Sequence, residues 1–483
     1  MVISSNFRRF SPYFKRLGLD TVDPAFYEKI QRWESWYRNN VPGFHSYNVM
    51  RCRGGTVKCR RKSLGMASKL AQDIADLMMN EDTLVTLSDP TTDEFVKGVL
   101  GGSSFATKCN EYQERKAATG TVAYVPYIAD AQADDDGNVS GGTVKVNYVS
   151  ARHIFPTSWG NGDITECVFA FERKYRRRKY TLMQRHALEH TEDGGRQYVI
   201  TNAVIDGRGR EILPAEWQEI PAFSGMSERI ETGSDAPQFA IDRLAIVNNA
   251  ADDDSNPMGI PIFANSIDVL AKLDTEYDSY DNEFLLGRKR IFVAPEMLQD
   301  EQGRLLFDPN DSVFYMLPED FFQNTKEAMH EVNMAIRAEE HERAINQDLS
   351  ILSMKAGLGT QYYRFERGNI ETATQVISEN SDLYRTIRKH EIPLADTLRT
   401  LIRSIIRLGI VTGRTDLDPD CEIVIRFDDS IIEDKATERE EDRKDVAMGV
   451  MSHVEYRAKW YGETEEQAAK RIPEQLQGAG VLL

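Results

Sequence analysis

Few residues in this chain stand at spacings that chemistry requires. Asp252-Asp253-Asp254 has the clustered carboxylate oxygens that a hard cation prefers. The Ser255-Asn256-Pro257 that follows makes a solvated turn the simpler interpretation. His186 and His190 are four apart, a spacing that joins two imidazoles on one metal only if the segment is helical, and its surroundings look like a hairpin. Of five cysteines, Cys52 and Cys59 form the one close pair, while Cys109, Cys167 and Cys421 are scattered; neither a second pair nor a histidine spacing completes a zinc site. Free thiols in a reducing compartment are expected. No phosphate-binding Gly-x-x-x-x-Gly-Lys-Ser/Thr run, His-Glu-x-x-His pair or Gly-x-Ser-x-Gly elbow occurs. Gly357-Leu358-Gly359 is a lone glycine pair, suited to a flexible connection. The expectation is a chain without catalytic residues, bound metal or cofactor.

Charge is more informative than motif. The formal net charge is −18 over 483 residues, which argues against a surface that holds nucleic acid throughout. Against that acidic body stand three basic features: Lys58, Arg60, Arg61 and Lys62; Arg173-Lys174-Tyr175-Arg176-Arg177-Arg178-Lys179; and Arg288-Lys289-Arg290. The first suits a solvated lead-in to a helix, and the third suits cations at a helix C-terminus or contact with DNA. The second, the densest, suits a hairpin end in solvent, an acidic neighbouring subunit or nucleic acid.

The elements that carry these residues follow from periodicity. With 41% apolar residues the chain can build a sizeable core, and its length suits roughly two to four domains. Trp33 and Trp36 are spaced to share a helix face. Leu64, Ala67, Leu70, Ile74, Leu77 and Met78 predict a helix over 62–80. Thr91 and Glu94 fit a capping box for a helix to Leu100, and another helix is expected from about Phe105 to Ala118. Residues 120–128, 143–148, 166–171 and 197–200 alternate as strands, giving α+β character. After Asn256-Pro257-Met258-Gly259-Ile260-Pro261, a stripe of Phe263, Ile267, Leu270, Leu273, Tyr277, Tyr280 and Phe284 predicts a long helix that starts near Pro261 and ends at Gly287. Its other faces carry Asp268, Asp274, Glu276, Asp278, Asp281 and Glu283. Strand-like runs at 291–295 and 313–317 follow, then a helix from about Ile336 to Met354. A longer one over 371–408 is expected to open on a Thr372/Gln375 capping box, to kink or break at Pro393 and to end at Gly409. A strand at 422–427 and a charged helical tail, broken near Gly462, complete the chain. No window is long and apolar enough to span a membrane, and no secretory signal is evident at the N-terminus.

The order of these pieces resembles the portal proteins of long-tailed bacteriophages. Runs that look like that family include Arg337-Ala338-Glu339-Glu340-His341, Ile345-Asn346-Gln347-Asp348-Leu349-Ser350, Met354-Lys355-Ala356-Gly357-Leu358-Gly359, Thr372-Ala373-Thr374-Gln375-Val376-Ile377-Ser378-Glu379 and Gly449-Val450-Met451-Ser452. The resemblance covers about 50–483, best in 256–410. It implies a portal-like α+β fold: a wing over 1–255, a stem helix at 256–287, a small β-rich clip at 288–325, a second stem helix at 326–356, a tunnel loop at 357–370, a long kinked helix and wing return at 371–430, and a helical crown at 431–483. It implies a ring, usually of twelve subunits, at one vertex of the virion capsid, assembled in the bacterial cytoplasm. Its partners would be the major capsid protein, the terminase large subunit, a head-completion adaptor and double-stranded DNA bound without sequence preference, with no membrane. Lys355, Thr360, Gln361, Arg364 and Arg367 would then face DNA from the tunnel loop, Asp274, Asp278 and Asp281 would line the stem, and Arg288, Lys289 and Arg290 would meet terminase or adaptor. A bare acidic stem would weaken phosphate adhesion and let DNA slide. Two other classes fit less of the sequence: a metal-dependent nucleic-acid-processing enzyme using carboxylates at 252–254 or 418–434, and a head protein that only builds walls.

Overall fold

A computed structural model describes residues 5–50, 55–79, 83–130, 132–133, 139–191, 194–287, 290–293, 314–316, 329–332, 335–365, 373–427, 435–461 and 465–472. The fold is α+β. Helix comes first, in α1 (Ser5–Leu17) and α2 (Pro24–Tyr37). Asp23 accepts the Ala25 N–H and Pro24 opens α2, so an oxygen cap and a preset φ start the helix together. Trp33 and Trp36 are both buried on α2, as their spacing predicts. A two-stranded ribbon of β1 (Ser46–Met50) and β2 (Thr56–Arg60) follows.

The helix expected over 62–80 forms as α3 (Met66–Met78), after a left-handed Gly65. β3 (Leu84–Leu87) leads to α4 (Pro90–Gly102). The Thr91/Glu94 box is not its cap. Asp89 accepts the Thr92 N–H at 2.8 Å, with Pro90 next in line, and proline at the first helical position places the cap two residues earlier than Thr91. α5 (Phe105–Thr119) ends at a left-handed Gly120.

The β-rich middle contains β4 (Thr121–Ala129), β5 (Gln132–Ala133), β6 (Val139–Ser140), β7 (Thr143–Ser150), β8 (Ile154–Gly160), β9 (Asp163–Tyr175), β10 (Arg178–His190), β11 (Arg196–Asp206), β12 (Glu211–Ile212), the short α6 (Pro214–Trp217), β13 (Arg229–Glu231) and β14 (Ala240–Arg243). One antiparallel sheet runs β12-β11-β10-β9-β8, with β13 also on β11; another runs β14-β4-β7. α5 is clamped to the second sheet by a fully buried pair: Lys116 Nζ lies 2.9 Å from both Asp242 oxygens, and Gln113 donates to the same carboxylate at 2.8 Å.

The C-terminal half contains α7 (Ile267–Leu286), β15 (Arg290–Val293), β16 (Phe314–Met316), β17 (Met329–Val332), α8 (Ala338–Lys355) and α9 (Ala373–Val411). β18 (Ile423–Arg426) pairs antiparallel with β3, and α10 (Lys435–Met448), α11 (His453–Tyr461) and α12 (Glu465–Arg471) follow. α7 begins at Ile267, not at Pro261. Helix α9 continues through Pro393 and past Gly409 to Val411. A side chain at Gly409 would come within 2.6 Å of the Phe95 ring, so this glycine permits close approach of α4 rather than ending the helix. The Thr372 half of the expected capping box lies outside the described residues.

Candidate functional site: the helix pair and its loop

The segment Asn256-Pro257-Met258-Gly259-Ile260-Pro261 fixes where α7 begins. Gly259 packs backbone to backbone on Gly120; a Cβ at Gly259 would lie 2.3 Å from the Gly120 oxygen. The Gly259 N–H donates to Thr121 Oγ1 at 2.8 Å and the Ile262 N–H to the Ala117 carbonyl at 3.0 Å. Asn248 and Arg243 hold the Met258 and Pro257 carbonyls from the other side, each at 2.7 Å. The lead-in is thereby seated against the end of α5 and the start of β4.

From that seat α7 runs antiparallel to α8. Lys355, at the end of α8, reaches Asp268 at the start of α7 at 3.5 Å; Lys272 pairs with Asp348 at 2.9 Å; Arg337 and His341, at the start of α8, meet Glu283 near the end of α7. Between the two helices in sequence lies the small sheet, with β15 central, β16 parallel and β17 antiparallel to it.

The carboxylates of α7 are not bare. Asp274 is buried, 4% exposed, and accepts from Ser63 Oγ at 3.0 Å and the Leu64 N–H at 2.8 Å. His45 Nδ1 accepts the Val41 N–H, so a neutral His45 carries its proton on Nε2 and donates it to Asp274 at 2.9 Å. Asp274 therefore faces its own chain. Asp278 accepts the Lys62 N–H at 2.9 Å, and Asp281 pairs with Lys62 Nζ at 2.6 Å. Arg61, beside them, donates to the Phe44 carbonyl and lies over the Phe44 ring at 4.1 Å. The first basic run is thus partly spent against the acidic helix. All six α7 carboxylates find partners within the chain, so repulsion of phosphate by this helix is weaker than its composition implies.

The loop after α8 is anchored through Phe365. Gly357 and Gly359 take left-handed backbone, at φ 76° and 83°. The Leu358 N–H donates to the Ser353 carbonyl at 2.9 Å, Thr386 Oγ1 to the Gly357 carbonyl at 2.7 Å, and the Phe365 N–H to Asn346 Oδ1 at 3.0 Å. Tyr363 is buried and donates its hydroxyl to Asp73 on α3 at 2.6 Å. Burial, then the Asp73 carboxylate, pushes its phenol well above the ordinary range, so it remains a donor. Tyr362 and Phe365 are exposed.

The expected DNA-facing residues divide accordingly. Lys355 is held by Asp268; Thr360 is exposed; Gln361 accepts from Arg364. Arg367, Arg288 and Lys289 lie outside the described residues, and Arg290 is the first residue of β15. Asp252 is 93% exposed and Asp253 accepts from Ser255 within its own turn, as expected for a solvated turn. His186 lies on a strand, its ring against Phe169 and Phe239. Sequence reasoning missed His45 and Asp73, which fix the site from afar, and Asp348 on α8 itself. One signal was available for Asp73, an acid set among buried positions of α3.

A family model described as phage portal protein, SPP1 Gp6-like, matches residues 19–480 of the 483. No single curated protein matches the chain. Matched over nearly its whole length, and carrying the paired helices with an inserted sheet and a following loop that the order of its segments led us to expect, the chain belongs to the SPP1 Gp6-like family of phage portal proteins.

Proposed function

We propose that this portal protein assembles as a ring of twelve subunits at one capsid vertex, with DNA entering and leaving through the central channel. The observation that carries the proposal is the family match over residues 19–480. The antiparallel α7–α8 pair supports it: two helices joined through a small sheet suit a stem with a clip at its end. On this reading Asp278 and Asp281 belong to the stem face, while Arg288, Lys289 and Arg290 lie at the clip. The clip docks the terminase large subunit during packaging and a head-completion adaptor afterwards, and the wing and crown meet the major capsid protein. Lys355, Thr360, Gln361, Arg364 and Arg367 form the loop nearest the DNA. Cationic contacts there would position the backbone without reading sequence. The protein does its work in the virion after assembly in the host cytoplasm, as structure rather than as catalyst. Electron microscopy of the purified chain tests this. Closed rings with an open channel wide enough for a duplex support it; monomers or dimers at every salt and protein concentration refute it.

A further inference from the structure

The β9–β10 hairpin breaks two local rules at its tip. Tyr175 pairs with Arg178, leaving Arg176 and Arg177 as a two-residue turn. Both have positive φ, 44° and 65°, where such turns ordinarily use Asn-Gly because side chains resist that conformation. One step down the ladder, Lys174 stands directly opposite Lys179, an arrangement of like charges that weakens a sheet. Arg173, Lys174, Arg176, Arg177, Arg178 and Lys179 are all exposed, and none of the six has an ion-pair partner among the described residues. The ribbon is braced, since Tyr175 and Tyr180 pack on the small core of Val204, Ile212, Trp217, Ile220 and Phe223. Local violations without a gain inside the fold point to a gain outside it.

We infer that this hairpin tip is a binding site for the phosphate backbone of duplex DNA, separate from the loop after α8. The pairing register puts Lys174 and Lys179 on the face away from the small core, and Arg173 and Arg178 on the face that Tyr175 and Tyr180 share, where both arginines are nonetheless exposed; the two turn arginines stand at the end. A flat acidic protein surface would engage one face. A groove walled by phosphates meets cations on both sides of the tip, and the major groove admits the end of a two-stranded ribbon. Phosphate contacts of this kind carry no sequence information. The inference does not depend on ring formation or on the channel.

The test uses the full chain, a short labelled duplex and fluorescence anisotropy across a salt series. If all six cations engage phosphates, the log–log salt slope approaches about −5, a loss of about a thousandfold between 50 and 200 mM salt. The variant R176N/R177G restores the preferred turn and so keeps the fold, yet removes two cations. Its slope should fall by about 0.9 per lost contact, and adding K179E, which faces Lys174, should weaken binding further. Equal affinity and slope in parent and variants overturns the inference, as does absence of duplex binding by the parent. A change in oligomer size with unchanged DNA binding also overturns it, and assigns the tip to the acidic surface of a second copy.

Discussion

Replacing Tyr363 by Phe removes one oxygen from the anchor that ties the loop after α8 to helix α3. The hydroxyl donates to Asp73 at 2.6 Å, and the ring is buried with the residue 9% exposed. A hydrogen bond to a charged acceptor is worth about 1.5–3 kcal/mol. Lys69 remains on Asp73, so the carboxylate is not stranded and the lower half of that range applies, about 1.5–2 kcal/mol. The loss falls on local opening of 357–365 rather than on the whole fold, because the other anchors are backbone contacts to Ser353, Asn346 and Thr386. At about 1.4 kcal/mol per tenfold, amide exchange at Leu358, Tyr363 and Phe365 should quicken by roughly 10–30-fold. Hydrogen exchange on the full chain, read by peptide mass, measures this. Unchanged exchange in Y363F, with the α3 amides also unchanged, would refute the claim that Asp73 holds the loop.

Other outcomes follow from buried charge. Lys116→Met should cost about 3–5 kcal/mol in denaturant titration, because Asp242 is left charged and buried with Gln113 alone, whereas K116M/D242L should recover most of it; equal instability of the two variants would contradict this. Burial holds His186 and His390 near a pKa of about 3. With folded values below the unfolded 6.5, their contribution to stability is present above that pH and lost as pH falls toward 3, each about 2 kcal/mol by pH 5. His186→Phe, matched to its aromatic neighbours, should remove its share of that loss between pH 7 and 5. Glu276 is raised by burial and then by the facing Asp348, so its penalty is absent at low pH and grows as pH rises through the unfolded carboxyl range. Glu276→Gln should therefore raise the unfolding midpoint more at pH 7 than at pH 4.

The elements were legible wherever periodicity was long. The stripe from Ile267 to Phe284 gives α7 almost to its last residue, and the strand-like runs at 120–128 and 143–148 fall on β4 and β7. Strand β17 was not legible, because Met-His-Glu-Val is short and owes its state to pairing with β15. Gly409 shows the converse failure, a stop signal overridden by packing against Phe95. For the site, the sequence offered an acidic helix and three basic runs without saying which would meet. Lys62 reaching Asp281, and His45 reaching Asp274 across 229 residues, are long-range choices that local pattern does not encode. The Arg-Arg turn was visible as charge alone; its positive φ required the backbone.

The pairing of β3 with β18 has a consequence for synthesis. Ser88 Oγ accepts the Glu422 N–H at 3.0 Å across 334 residues, so Leu84–Leu87 can find its strand only after the ribosome has added all the residues between them. Closure of such distant contacts is slow, and until then β3 offers an open edge to any other nascent chain. A fragment that stops before Ile423 lacks that clasp altogether. The same hydrogen bonds thus separate chains that reach Arg426 from shorter fragments.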